Sequence, residues 1–177
     1  MNKKNYILLL SSIFLAGHLF AQGKEDFNKR LFEIKLKYQA INNEKNLRIK
    51  TISDAESFLD HATDNGGELT GYFKEDTLVK IIEWIGLSNR VLQTEYFFEY
   101  GKLFFVYSKE SNYAFSTDSI DYSKLNTVFA GQYYYQNEKL FNTMLSDRKR
   151  EKSKTQDSAL FILNSKKYAK LLTANPS

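Results

Sequence analysis

The stretch EYFFEYGKLFFVY, Glu95–Tyr107, decides how this chain is read. Two aromatics, Phe97-Phe98, precede a short polar break at Glu99-Tyr100-Gly101-Lys102, and Leu103 opens a second apolar run. Strand-favouring residues on both sides of a glycine-bearing turn are the signature of a β-hairpin. The same arrangement occurs before it, from Tyr72-Phe73 to Leu78, and after it, from Tyr134-Tyr135 to Leu140. Three copies predict three hairpins over 67–145. Their offsets of 25 and 37 residues exclude a solenoid of fixed period.

Four-residue breaks place Phe98 opposite Leu103, and strict alternation then assigns faces. One face is expected to carry Tyr96, Phe98, Leu103, Phe105 and Tyr107, with Phe73, Leu78, Ile82, Tyr133, Tyr135, Leu140 and Met144 from the other copies. The second face takes Phe97, Phe104, Val106, Tyr72, Val79, Ile81, Tyr134 and Phe141. The extra length between the second and third copies, Lys109 to Asn126, reads as a polar excursion suited to a functional loop.

Helical patterns flank this region. Phe27, Leu31, Ile34, Tyr38 and Ile41 recur every three or four residues, and Ile52, Ala55, Phe58, Leu59 and Ala62 make a second stripe before Gly66. Two helices over 24–66 follow, although Leu47 to Ile52 also reads as the start of a strand. After Leu145, Ala159, Leu160, Ile162, Leu163, Tyr168, Leu171 and Leu172 predict a C-terminal helix over about 155–174. The expected fold is α+β: two N-terminal helices, a six-stranded, largely antiparallel meander, and a terminal helix packed on it. Its outermost strands would be Glu68–Phe73 and Leu140–Leu145, which leaves a monomer or an edge-strand dimer.

The amino terminus sets the expected location. Lys3 and Lys4 precede the mostly apolar, uncharged Tyr6–Phe20, and Ala21 ends a short site before Gln22. That is the layout of a signal peptide over 1–21, with an apolar run too short for an ordinary membrane anchor. Export to the periplasm or the exterior is expected, without stable membrane insertion after cleavage, and 22–177 then forms one domain. Losing Lys3 and Lys4 lowers the formal charge from +4 to +2, with 23 Lys and Arg against 21 Asp and Glu. That balance argues against nucleic acid as a partner. With no cysteine in the chain, disulfides, thiolate nucleophiles and sulfur-ligated metals are excluded.

Few residues offer chemistry. Ser57, His61 and Asp64 would stack at i, i+4 and i+7 on a continuous helix, the residue types of a general-base mechanism. Three neighbours on one helix lack an oxyanion pocket, so a solvated helix end is the preferred reading. Asp60, Asp64, Asn65 and Glu68 surround a glycine pair without the spacing of a calcium loop. No metal or cofactor is expected. The basic run Arg148 to Lys154 could attract phosphate-rich polymers but contains no aromatics, and a solvated linker explains it. The remaining candidates for binding are aromatic: Tyr96, Tyr107, Tyr133 and Tyr135 on one expected face, Trp84 near its end, and Tyr113 in the excursion. Left open they form a platform for sugars or peptide side chains; covered by a helix they are core.

The hairpins, with Glu95–Phe98, Gly101–Tyr107 and Tyr133-Tyr134-Tyr135, resemble those of small, uncharacterised exported proteins of Bacteroidota. A looser similarity is to MORN-like hairpin repeats: Gly71-Tyr72 and Gly101 fit that pattern, whereas Asn137-Glu138 depart from it. Neither resemblance implies an activity. The expectation is an exported, non-enzymatic binding module for a protein or envelope polymer; the alternative is a small periplasmic hydrolase, or an inhibitor of one, using the His61 region.

Overall fold

The computed structural model describes residues 25–115 and 119–174. The expected signal peptide, the tip of the excursion at 116–118 and the terminal Asn175-Pro176 lie outside them. The chain divides into two compact units at Gln39/Ala40. Helix α1, over 25–43, crosses that boundary. In the first unit Arg30 pairs with Asp26 one helical turn away.

The second unit is an α+β arrangement built on a seven-stranded antiparallel sheet in simple sequence order. Its strands are β1 (Arg48–Ile52), β2 (Gly67–Lys74), β3 (Thr77–Gly86), β4 (Arg90–Glu99), β5 (Lys102–Phe115), β6 (Ile120–Gln136) and β7 (Lys139–Leu145). The three anticipated hairpins are β2/β3, β4/β5 and β6/β7, with Phe73 opposite Leu78, Phe98 opposite Leu103 and Tyr135 opposite Leu140.

Two expectations about strand number fail together. The segment expected as a second helix is split: β1 takes Arg48–Ile52, and only one turn, α2 (Glu56–Leu59), is helical. The cations Arg48 and Lys50 alternate with Ile49 and Thr51, a period of two that serves a sheet edge. The outer strands are therefore β1 and β7, with β2 inside. The excursion is also no loop. β5 and β6 continue through two register shifts, pairing as far as Phe115 with Ile120.

The face assignment needs a larger correction. Each returning strand has one extra residue just after its leucine. Phe97 pairs with Phe105 while Phe98 pairs with Leu103, leaving Phe104 out of the ladder; Val79 and Phe141 are skipped in the same way. A β-bulge reverses the facing of everything beyond it. Val106 and Ile81 consequently join the helix-side core, while Phe105, Tyr107, Ile82 and Met144 turn to the opposite face. There Phe105 packs against Phe97 and Tyr134, ring centroids 5.6 and 5.2 Å apart.

The helix-side face is covered by α3 (Lys154–Thr173), which follows a 3-10 turn at Arg148–Lys152. The buried residues of α3 include Ser158, Ser165, Tyr168 and Leu172, and Phe161 packs partly buried against the core, giving spacings of three and four. Leu160 and Leu163, part of the expected stripe, are exposed. Small serines let the helix approach the sheet, and Ser165 returns its hydroxyl to the Ile162 carbonyl at 2.9 Å. Toward its C-terminus α3 sits close: a Cβ on Gly71 of β2 would lie 3.0 Å from Leu172. Phe58 of α2 meets the Tyr168 ring edge-on at 5.9 Å, completing that end of the core.

Candidate functional site

The six aromatic candidates do not form one surface. Tyr96, Tyr133 and Tyr135 point to the helix side and are buried beneath α3, so the covered alternative describes them. Tyr107 and Trp84 are half-buried and lie on the other face, each turned there by the bulge of its own strand. Tyr113 is buried on that same face, its ring 4.8 Å from Tyr122.

The other sequence candidates disperse as well. With α2 ending at Leu59, Ser57, His61 and Asp64 share no helical face. Ser57 donates to Asp54 at 2.6 Å, the His61 ring contacts the Leu59 carbonyl at 2.9 Å, and Asp64 accepts the Ser88 amide at 3.1 Å. The carboxylates around the glycine pair are equally divided: Asp60 pairs with Lys167 of α3, and Glu68 accepts the Thr70 hydroxyl at 3.0 Å. Among the described residues no group of three or more His, Asp or Glu stands close enough to hold a metal ion. Nor is any described helix long and apolar enough to cross a membrane.

What the fold does assemble is a half-open groove of about 500 Å³ between the N-terminal half of α3 and the ends of β3 to β6. The helix lines it with Asp157, Leu160, Phe161 and Asn164. The deep wall holds Glu83, buried on β3. One of its oxygens accepts the Tyr96 hydroxyl at 2.8 Å and the other accepts the Tyr168 hydroxyl. Burial raises the Glu83 pKa above the ordinary carboxylate value, opposed by the hydroxyls of Tyr168, Tyr96 and Thr94. The phenols of Tyr96 and Tyr168 are raised in turn, first by burial and then by that carboxylate. Tyr135, also pushed up to about 12 by burial, reaches toward the Ser158 carbonyl at 3.5 Å.

The outer wall is ionic. Glu110 of β5 accepts Arg150, from the 3-10 turn, at 2.6 Å, and Arg90 of β4 brings its Nε to 3.6 Å from the other oxygen. The Arg150 guanidinium also covers the Phe129 ring at 4.2 Å. Across the groove Asp157 of α3 accepts from Tyr133 at 3.3 Å and from Ser153 at 3.0 Å. Arg90 Nε is shielded from solvent and makes no hydrogen bond. Reading along the sequence misses Glu83, Arg90, Glu110 and Asp157, and meets Arg150 only as part of the basic run, because the five are spread over five elements and converge only in the fold. One signal was present: Glu83 stands between Ile81 and Ile85 on the core-facing alternation of β3, where a charge is out of place.

Compared with protein-family models, with curated proteins and with solved structures, the chain gives no match.

Proposed function

We propose that this protein is an exported, non-enzymatic binding module for an envelope polymer, and that the polymer is held in the groove under the start of α3. The observation that carries the reading is the commitment of the groove's charged groups to one another. Both oxygens of Glu83 accept phenols, Glu110 faces two guanidiniums, and Asp157 is held by Tyr133 and Ser153. Groups fixed in this way make a preorganised recognition wall. Acid–base catalysis asks instead for a titrating group free to reach substrate. The volume lies within the range of small-ligand clefts. Export is supported by the three-part leader and by the resemblance of the hairpins to those of small exported proteins.

The test is retention of the mature protein on isolated cell-envelope polymers, with Ser108→Trp to fill the groove. Wild type and His61→Ala are expected to co-sediment with the polymer, while Ser108→Trp is lost from the pellet with its thermal midpoint unchanged. Retention of a folded Ser108→Trp variant equal to wild type overturns the placement.

A further inference from the structure

Resting on that reading, we infer that the groove takes an uncharged saccharide unit, held by the guanidinium groups of Arg90 and Arg150 and the hydroxyl and amide groups around them. Three cations, Arg90, Lys109 and Arg150, line the groove with three carboxylates, Glu83, Glu110 and Asp157. The wall thus carries little net charge to attract an ion of either sign. It still has hydrogen-bonding capacity to spare. Each guanidinium carries five N–H donors, and Glu110 occupies only some of the combined set. Arg90 supplies much of that surplus: its Nε makes no hydrogen bond, standing 3.6 Å from Glu110, while its side chain as a whole is 43% exposed.

A sugar hydroxyl meets this surplus from both sides, since it accepts from a guanidinium and donates to a carboxylate at once. Ser108 and Asn164 on the groove walls add further neutral partners, and Leu160 and Phe161 supply apolar surface for ring carbons. An extended peptide fits less well. Such a ligand is usually read by adding its backbone to an open strand edge. The groove floor consists of interior strands β3 to β6, whose backbone groups already pair within the ladder. Recognition here has to come from side chains.

Calorimetric titration of the mature protein with neutral hexose and N-acetylhexosamine oligomers, with a uronic-acid oligomer and with an acidic peptide decides the matter. Neutral oligomers are expected to bind with affinity unchanged between low and high salt, since a ligand without charge has nothing to screen. Arg90→Lys, which keeps the charge and removes the planar guanidinium fork, should weaken that binding about tenfold, the effect of one hydrogen bond. Its thermal midpoint should stay near wild type. Salt-sensitive binding of the uronate or the peptide alone overturns the neutral-sugar assignment. Polymer retention that Ser108→Trp abolishes, with no oligosaccharide bound, overturns it while leaving the binding-module reading intact. Absence of both ends both.

Discussion

Tyr168, near the end of α3, donates its phenolic hydrogen to Glu83 on β3, a contact across 85 positions of sequence. It joins the last helix to the middle of the sheet through a carboxylate that has almost no water around it. A buried acid of this kind couples the stability of the fold to pH.

The sign follows from the raised pKa of Glu83. The folded chain holds the proton more tightly than the unfolded chain does, so the Glu83 contribution is fully present below the ordinary value of 4.5 and is lost as pH rises through the elevated folded value. Urea unfolding at several pH values, comparing wild type with Glu83→Gln, should show the difference in stability moving against wild type as pH rises through that window. A difference that does not change with pH rules the coupling out.

Removing one phenolic hydroxyl separates the tyrosines. Tyr168→Phe takes a donor from a buried carboxylate and should cost about 1–3 kcal/mol. Tyr135→Phe removes only a 3.5 Å contact to a helical carbonyl and should cost about 1 kcal/mol or less. Equal losses in paired urea titrations would show that the carboxylate gains nothing from Tyr168.

Tyr100 and Gly101 form the two-residue turn of β4/β5 with φ of 50° and 73°. The tyrosine is 91% exposed and pays for a left-handed backbone that asparagine adopts readily. Tyr100→Asn is expected to stabilise the fold by about 0.5–1 kcal/mol, read as a higher thermal midpoint. No rise would place the strain elsewhere in the hairpin.

At Gly86 the limit is space. A Cβ there would sit 2.6 Å from the Asn65 carbonyl oxygen, a backbone atom tied into the link that returns Gly66 to the end of β3. Gly86→Ala should destabilise by about 1–3 kcal/mol. A neutral result in thermal unfolding would mean that the 63–67 turn yields freely.

Export has its own check. Amino-terminal sequencing of the protein recovered from the periplasm or medium should begin at Gln22; an intact Met1 on exported material would replace the cleaved leader with an anchor.

Much of the sheet was legible because hairpins are local. Phe73 with Leu78, Phe98 with Leu103 and Tyr135 with Leu140 follow from residues five apart. The bulges were not, since nothing in Phe104, Val79 or Phe141 distinguishes a skipped residue from a paired one, and each reverses the facing of its strand beyond. The stripe of α3 was misread for another reason: Ser158 and Ser165 are buried for their small size, which a count of apolar residues overlooks. β1 was legible only as the strand alternative at Leu47 to Ile52, because its alternating cations also suit the polar face of a helix. The groove was the least legible part, being made of single residues from separate strands whose meeting depends on the corrected register.

The repeated extra residue also bears on how such a sheet can change in size. Because Val79, Phe104 and Phe141 fall at the same step of their hairpins, each hairpin begins and ends in the same phase. A whole unit inserted or removed would leave its neighbours showing the same sides to the helix. Gain or loss of a hairpin is therefore a change the architecture can absorb, while a single-residue insertion within one would turn a strand inside out.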